Sequence, residues 1–221
     1  MIACLFSGGK DSMLALHKVV ESGKKVELLI TMVAENEFSY MFHKPAVEFT
    51  PLQAEALGIR HITGKTVGEK ELELKDLENV LATNGVSELI TGAVASKYQK
   101  DRIEAICSKL GITPVSPLWG ISPVDELKEI SLRFNAIVTH VSAAGFDESF
   151  LGQRIDDAMI ERLIKLHNKY KINMSFEGGE AESFVLDAPL FKKRIKIKMA
   201  HTFWDGQVGT YIIDDAELEV K

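Results

Sequence analysis

The 221-residue sequence contains only two cysteines, and its charge balance shows no basic excess. Two cysteines cannot build the disulfide framework of a small secreted domain or a four-thiolate metal site. Lys and Arg number 26 against 32 Asp and Glu, giving a formal net charge of −6, so stable nucleic-acid binding is not expected. No apolar run approaches the roughly 20 residues of a membrane span, and the N-terminus lacks a signal-peptide layout. We therefore expect a cytoplasmic protein that makes no membrane contact.

The two cysteines both stand in apolar patterns. Cys4 lies inside the first apolar run, and Cys107 falls at helical spacing with Ile103 and Leu110. A reactive thiol needs exposure and a nearby cation, so the pattern favours packed side chains over nucleophiles. Without such a thiol, a reaction that consumed nitrogen would use a simpler donor than glutamine, and sulfur transfer is not expected.

Residues 7–12 read Ser-Gly-Gly-Lys-Asp-Ser and separate the first apolar run from a helical pattern. Glycines let backbone N–H groups approach a ligand, and a helix N-terminus attracts anions. The segment is either a phosphate-binding loop or a tight strand-to-helix turn. A Walker loop is excluded because position 4 is Cys where that motif needs Gly. The candidate nucleotide-binding residues are Ser7, Gly8, Gly9, Lys10, Asp11 and Ser12.

Strand and helix patterns alternate through the first 122 residues. The rhythm predicts an α/β fold with a doubly wound, mostly parallel sheet. The expected strands cover 2–6, 26–33, 59–63, 88–91 and 112–115. Expected helices start near 13, 46 and 96, and a further one carries Leu74, Leu77 and Leu81 at helical spacing. Ligands bind beyond the carboxyl ends of strands in such sheets. Residues 7–12, Met32 and residues 91–93 should therefore share one edge.

A cluster of prolines and glycines near residue 120 predicts a domain boundary at 122, dividing the chain into 1–122 and 123–221. The second part reads as a smaller α+β domain. Its expected helices cover 123–134 and 156–169, and its expected strands cover 136–141, 184–186, 195–203 and 207–213, with an Asp205-Gly206 hairpin turn. Residues 192–198 are basic and could dock a protein substrate. The β-rich end could support a homo-oligomer.

Residues 177–183, Glu-Gly-Gly-Glu-Ala-Glu-Ser, gather three carboxylates around a glycine pair. The segment is either a solvated turn before a strand or a ligand-binding loop whose carboxylates meet a cation or take a proton. Magnesium sites use few protein carboxylates. Asp11 and this acidic loop are therefore alternative Mg²⁺ contacts.

Two further segments carry recognition candidates. The aromatic run at residues 39–43 includes Tyr40 and His43, and it suits either packing or recognition of a quaternary ammonium group. Residues 96–102 open a helix with three basic side chains, which form either a solvated face or a phosphate contact. Arg102 is the preferred candidate because arginine makes bidentate phosphate contacts.

Together, residues 7–12, 39–43, 92–104 and 177–191 resemble the diphthine–ammonia ligase family of N-type ATP pyrophosphatases, which have the adenine nucleotide α-hydrolase fold. The resemblance spans almost the whole chain. Its most specific part is the acidic loop running into Leu186-Asp187-Ala188-Pro189-Leu190-Phe191. By length the chain is similar to the short, archaeal-like members.

The resemblance implies ATP-dependent amidation of diphthine on translation elongation factor 2 with ammonium, forming diphthamide, AMP and pyrophosphate through an acyl-adenylate. ATP and Mg²⁺ are the implied cofactors. Implied catalytic residues are Lys10, Asp11, Glu177 and Glu180, with Asp11 at the metal; implied nucleotide contacts are residues 7–12, Met32, Gly92 and Arg102. Implied substrate contacts are Tyr40, His43, Tyr98, Gly178, Gly179 and Glu182.

Two other functions remain open from the sequence. A tRNA-modifying ATP pyrophosphatase that adenylates a base shares the first loop, but usually has a basic surface and, for sulfur, accessible cysteines. A module that senses ATP without turnover would need neither Lys10 nor the acidic loop. Net charge and cysteine pattern oppose the first alternative, and the intact Lys10-Asp11 pair opposes the second.

Overall fold

The computed structural model describes residues 1–34, 46–69 and 71–221. Within these ranges it has nine strands and six α-helices. The first part holds β1 (Ile2–Leu5), α1 (Lys10–Glu21), β2 (Leu28–Ala34), α2 (Thr50–Leu57), β3 (Arg60–Thr66), α3 (Leu72–Thr83), β4 (Glu88–Ile90), α4 (Lys97–Leu110) and β5 (Thr113–Val115). The second holds α5 (Pro123–Arg133), β6 (Asn135–Val141), α6 (Asp157–Tyr170), β7 (Ala181–Asp187), β8 (Lys193–Trp204) and β9 (Gly209–Val220).

The first five strands form one parallel sheet in the order β3-β2-β1-β4-β5. The central strand β1 pairs with β2, where Cys4 lies opposite Leu29, and with β4, where Cys4 lies opposite Ile90. After β3, which is one edge of the sheet, the chain crosses to β4 on the other side of β1. The predicted α/β class with a parallel sheet and a smaller α+β part is confirmed.

Neighbouring residues of β1 point to opposite faces of this sheet, and each face is covered by helices. Ala3 belongs to a hydrophobic cluster with Leu77 of α3, and α4 packs in the same cluster. Cys4 belongs to the other cluster, together with Leu14 of α1. Burial of both faces explains why these strands read as continuous apolar runs. The sheet is doubly wound, as predicted.

Both cysteines are fully buried in these two layers. Burial raises the pKa of the Cys4 thiol to about 12. Burial, with a smaller contribution from Glu104, raises the pKa of the Cys107 thiol to about 11. A thiol with a raised pKa holds its proton at neutral pH and is a poor nucleophile. The prediction that both cysteines are packed side chains is confirmed.

The last four strands form an antiparallel sheet in the order β7-β6-β9-β8. The Asp205-Gly206 turn joins β8 to β9, as predicted. The Asp205 carboxylate accepts the N–H groups of Gln207 at 2.8 Å and Val208 at 2.7 Å. However, β9 continues to Val220, beyond the expected 207–213. Its acidic second half lies beyond the predicted strand and pairs with β8 along its length.

The basic segment of β8 is neutralised by this pairing. Arg194 and Lys196 both bind Glu219, at 2.5 and 2.9 Å, and Lys198 binds Asp215 at 2.7 Å. These pairs are exposed, so each adds little stability. They also leave little bare positive charge, which weakens the expectation that residues 192–198 dock a protein substrate by charge.

The two sheets are not independent bodies. Phe6 and Met13 of the first part lie in one hydrophobic cluster with Phe184 and Val185 of β7. The division at residue 122 therefore remains a prediction, since one core crosses it. None of the described helices is long and apolar enough to cross a membrane.

His17 of α1 lies fully buried at this junction. Its Nδ1 lies 2.8 Å from the Met13 carbonyl oxygen, and its Nε2 lies 3.3 Å from the backbone nitrogen of Leu190. A neutral ring with the proton on Nδ1 satisfies both contacts, because Nε2 then accepts the Leu190 N–H. Burial is the main cause that lowers the pKa of His17 to about 4.

We expect His17 to make the fold sensitive to acid. Its pKa of about 4 in the folded state lies below the ordinary value of 6.5, so the unfolded chain binds the extra proton first as pH falls. The free energy of unfolding should therefore drop between pH 6.5 and 4, by at most about 3 kcal/mol from this group. Denaturant unfolding at pH 7 and 4.5 measures the loss.

The control for this prediction is His17→Gln, whose amide can reproduce both contacts without titrating. The wild-type protein should lose more unfolding free energy on acidification than the variant does. His201, an exposed histidine on β8, provides the matched comparison as His201→Gln. Equal acid sensitivity in the His17→Gln variant and the wild type would contradict the assignment.

Candidate active site

The loop between β1 and α1 has the geometry of an anion site. Gly8 adopts a left-handed backbone with φ +80°, and Gly9 is the residue that precedes the helix. The Ser12 hydroxyl donates to the Gly9 carbonyl oxygen at 3.1 Å and lies 3.3 Å from the Ser7 hydroxyl. The loop therefore places two hydroxyls beside the N-terminus of α1, where backbone N–H groups and the helix dipole favour an anion.

Strand β7 and helix α2 pack directly on this loop. The Ser183 hydroxyl accepts the Lys10 N–H at 3.1 Å, and the Val185 N–H donates to the Gly8 carbonyl oxygen at 3.0 Å. Gln53, buried in α2, donates to the carbonyl oxygens of Gly8 at 2.9 Å and Val185 at 2.7 Å. Residues 7–12, the candidate phosphate loop, are thus shaped by residues far from them in the sequence.

Gly92, after β4, allows the end of that strand to touch the start of α1. A Cβ atom at this position would lie 2.7 Å from the backbone nitrogen of Ser12 and 2.8 Å from the carbonyl carbon of Asp11. Those distances are shorter than Cβ contacts allow, and the atoms are backbone, which cannot rotate away. Only glycine fits against the loop here.

The Lys10 side chain does not point into solvent. Its ammonium donates to Glu126 Oε1 at 2.8 Å and to the Ser175 carbonyl oxygen at 2.9 Å, and it pairs with Asp11 Oδ1. These contacts use all three N–H groups of the ammonium. Although burial favours the neutral amine, the carboxylates of Asp11 and Glu126 raise the pKa of Lys10. Lys10 is charged and fully engaged.

Asp11 differs from Lys10 in its exposure. Its side chain is 31% exposed, whereas that of Lys10 is 1% exposed. Glu126 is also fully buried, and although burial favours its protonated form, the Lys10 ammonium lowers the pKa of Glu126. The cluster therefore sets one ammonium against two carboxyl groups. Asp11 is the one that reaches the cavity, and burial raises the pKa of its carboxyl although the Lys10 ammonium opposes that shift.

The acidic loop before β7 is held by its own glutamates. Glu177 accepts the N–H groups of Val94 at 2.6 Å and Ala95 at 2.5 Å, so it links this loop to the segment after β4. Glu180 accepts the N–H groups of Asn173 and Gly178, both at 2.9 Å. The carboxylates of Glu177 and Glu180 thus shape the backbone around them.

A cavity of about 430 Å³ opens at the carboxyl ends of β1, β2 and β4. Small-molecule sites typically measure about 300–1,000 Å³. The predicted site residues that line it are Ser7, Gly9, Lys10, Asp11, Ser12, Met32, Gly92, Glu177, Gly178, Gly179 and Glu182. The phosphate loop and the acidic loop therefore form two walls of one cavity.

Other predicted residues do not line this cavity among those the structure describes. Gly8 packs on Gln53, and Glu180 is turned into its own loop. The Arg102 guanidinium stacks on the Tyr98 ring, 3.5 Å from its centroid. Tyr40 and His43 lie outside the described residues.

Helix α4 instead presents Lys100 to the cavity, together with Gln99 and Ile103. Ser96 caps the start of this helix, since its hydroxyl accepts the Gln99 N–H at 3.4 Å. Lys100 also lies 4.7 Å from the Trp119 ring centroid. Residues 100 and 102 stand about 200° apart on a helix, so only one of the two can face the cavity.

Four residues of this site were not found from the sequence: Gln53, Glu126, Ser175 and Ser183. Ser183 ends the acidic segment but carried no signal of contact with the phosphate loop. Glu126 stands in the first turn of α5, where a carboxylate usually stabilises a helix N-terminus. Because that role already accounts for Glu126, nothing in the sequence indicated its contact with Lys10, 116 positions away.

The donor set fits a nucleotide with magnesium. Mg²⁺ usually keeps several waters and takes one or two protein carboxylates together with substrate phosphates. Asp11, partly exposed in the cavity beside the phosphate loop, offers such a carboxylate. In the described ranges no three His, Cys, Asp or Glu side chains gather into a metal site of their own.

Two family models match the chain in sequence order. The model described as the diphthamide synthase N-terminal domain matches residues 1–114, and the model described as the diphthamide synthase C-terminal domain matches residues 122–218. The chain belongs to the diphthamide synthase family. The family resemblance drawn from the four motifs is therefore confirmed.

Curated relatives of this family carry the name diphthine–ammonia ligase. The human protein is 34% identical over 218 residues, covering 88% of this chain and 81% of that protein. The Bos taurus protein is 35% identical over 218 residues with the same coverage, and the Danio rerio protein is 33% identical over 224 residues, covering 90% and 86%. The prediction that the chain belongs to a family of ligases is confirmed.

A solved structure from Methanocaldococcus jannaschii, described as a predicted subunit of tRNA methyltransferase, aligns with a TM-score of 0.44 and 16% identity. The alignment covers 85% of this diphthamide synthase family member and 97% of the Methanocaldococcus jannaschii chain. Similarity at this level does not bear on function.

Proposed function

We propose that this protein amidates diphthine on translation elongation factor 2 with ammonium and ATP, forming diphthamide, AMP and pyrophosphate. The observation that carries the proposal is one cavity walled by both family motifs, the phosphate loop and the acidic loop. Diphthine–ammonia ligases at 34 and 35% identity give the substrate class. A substrate of the translation apparatus implies a cytoplasmic site of action.

The phosphate loop is the proposed ATP site. Ser7, Gly9 and Ser12 offer hydroxyl and backbone groups to the phosphates at the N-terminus of α1. Asp11 would hold Mg²⁺, which offsets phosphate charge when bound. Met32 and Gly92 line the side of the cavity beyond β2 and β4, where the nucleoside would lie.

The proposed chemistry has two steps. The diphthine carboxylate oxygen attacks the α-phosphorus of ATP and pyrophosphate leaves, giving an acyl-adenylate. Ammonia then attacks the acyl carbon, AMP leaves, and the proton lost by nitrogen goes to a base. Adenylation activates the acyl carbon, because AMP is a far better leaving group than the oxide ion that a free carboxylate would have to expel.

The geometry favours different roles for the three glutamates of the acidic loop. Glu177 and Glu180 each accept two backbone N–H groups, so they support the cavity wall. Glu182 lies on β7 and lines the cavity beside Ser183, which contacts the phosphate loop. We propose Glu182 as the base for ammonium because it lines the cavity on the strand that contacts the phosphate loop.

The lysine proposed to contact the phosphates differs from the one that the sequence suggested. The sequence suggested Lys10, but its three N–H groups are already donated to protein acceptors. Lys100 lines the cavity, and in the described part of the chain its ammonium pairs with the partly exposed Glu104 at 3.1 Å and lies over the Trp119 ring. Lys100 is the proposed phosphate contact, and Lys10 is proposed to organise the loop.

The deciding experiment incubates the protein with ATP, Mg²⁺, ammonium and elongation factor 2 carrying diphthine. We expect AMP to accumulate one for one with a substrate mass change corresponding to amidation. AMP formation should require the protein substrate. Amidation without AMP would contradict the adenylation step, whereas no amidation with any order of addition would contradict the function. A tRNA substrate in place of the elongation factor serves as the comparison.

A further inference from the structure

Three segments that are far apart in the sequence meet at the Lys10 ammonium. Lys10 belongs to the phosphate loop, Glu126 to the first turn of α5, and Ser175 to the segment just before the acidic loop. The Ser175 hydroxyl also donates to the second Glu126 oxygen at 2.5 Å. Glu126 thus holds the other two residues at once, one with each carboxylate oxygen.

This cluster is enclosed by protein. Lys10 and Glu126 are 0% exposed and Ser175 is 1% exposed. The Phe176 ring covers the ammonium, with its centroid 5.1 Å from Nζ. In such surroundings an ammonium that loses one carboxylate partner is left undercompensated, so its neighbours must shift. The geometry at Lys10 is therefore sensitive to the charge on Glu126.

The same cluster sets the path of the acidic loop. Phe176 follows Ser175 and has a left-handed backbone with φ +67°, which is unusual for a residue other than glycine. A strained conformation of this kind persists only where surrounding contacts impose it. On one side stands Ser175, held by Lys10 and Glu126; on the other stands Glu177, held by the N–H groups of Val94 and Ala95.

We propose that Glu126 is a positioning residue that joins the phosphate loop to the acidic loop, so that the two walls of the cavity form together. Its effect on turnover rests on the proposed function, but its effect on the loop does not. No contact of Glu126 with substrate is required, because it acts through Lys10 and Ser175.

The test compares Glu126→Gln with Glu129→Gln in the full chain. The first substitution keeps the shape of the side chain and removes its charge. Glu129 lies one turn along α5 and also pairs with α1, through Lys18 at 2.7 Å, but at a partly exposed position. Backbone hydrogen exchange of residues 93–96 and 176–182 is the primary measurement. We expect it to become at least about tenfold faster in Glu126→Gln and to stay unchanged in Glu129→Gln.

If the wild-type protein amidates diphthine, steady-state kinetics provides the second measurement. The backbone of the phosphate loop keeps its contacts to Ser183 and Val185, so the KM for ATP should change by less than about threefold, while kcat falls about tenfold through misalignment of the two walls. Glu126→Asp restores the charge on a shorter side chain, and it should recover part of both the exchange protection and kcat.

The outcomes separate this inference from the proposed function. A wild-type protein without amidation contradicts the function alone, since hydrogen exchange still decides the role of Glu126. Equal exchange in the Glu126→Gln and Glu129→Gln variants would overturn the inference. If Glu126→Gln does not fold, Ser175→Ala replaces it, because this change removes the hydroxyl bond to Glu126 and keeps the carbonyl. Faster exchange of 176–182 then supports the inference, and unchanged exchange overturns it.

Discussion

Replacing Glu182 by glutamine should slow amidation by about 100- to 10,000-fold at neutral pH, the usual contribution of a general base. Glutamine keeps the size of the side chain in the cavity but cannot take a proton from ammonium. ATP binding should persist, because Ser183 and Val185 still hold the phosphate loop. Substrate mass measured against time, together with binding of an ATP analogue, checks both parts.

Raising the pH distinguishes a lost base from a distorted site. At higher pH more of the ammonium pool is free ammonia, so the Glu182→Gln variant should gain more activity than the wild type does. Glu217→Gln, an exposed carboxylate of β9 in the same sheet, is the matched control and should behave as wild type. Full activity of Glu182→Gln at neutral pH would rule out Glu182 as the base.

Replacing Gly92 by alanine should lower kcat/KM for ATP by about 100-fold, because displacement of reacting groups by about 1 Å has effects of that size. The added Cβ would overlap the backbone of Asp11 and Ser12, at 2.8 and 2.7 Å. The start of α1 must therefore move away from β4. Strain of this kind should also lower the free energy of unfolding by about 1–3 kcal/mol.

Gly111→Ala provides the matched control for this substitution. Gly111 ends α4 with φ +68°, and a Cβ there would meet no atom within 4 Å. Its cost should come from the left-handed backbone alone, at about 1 kcal/mol, with unchanged kinetics for ATP. Thermal or denaturant unfolding and steady-state kinetics measure both variants. A Gly92→Ala protein with wild-type kinetics would show that the loop tolerates the displacement.

The element order was predictable because it depends on local patterns. Apolar runs, glycine turns and caps such as Ser96 act within a few residues of themselves, and they located the sheet strands and α1 to α6. Boundaries were less accurate where context decides. Val47–Phe49 forms a 3₁₀ helix before α2, whereas the pattern predicted one continuous helix from residue 46.

Strand β7 shows a similar limit. It begins at Ala181, three residues before the expected 184, because Ala181, Glu182 and Ser183 pair with β6. Charged and small residues carry little strand signal by themselves. Their pairing comes from the neighbouring strand, and it is this pairing that places Glu182 and Ser183 in the cavity wall.

By itself, the sequence determined the doubly wound sheet, the phosphate loop, the acidic loop and the family, because each is written in a short contiguous segment. Only the tertiary structure decided which charged groups face the cavity. Long side chains such as those of Lys10 and Lys100 take their direction from partners, and Lys10 finds its partner 116 positions away in Glu126. Burial makes that partner necessary, since an ammonium removed from water needs carboxylate and carbonyl oxygens around it.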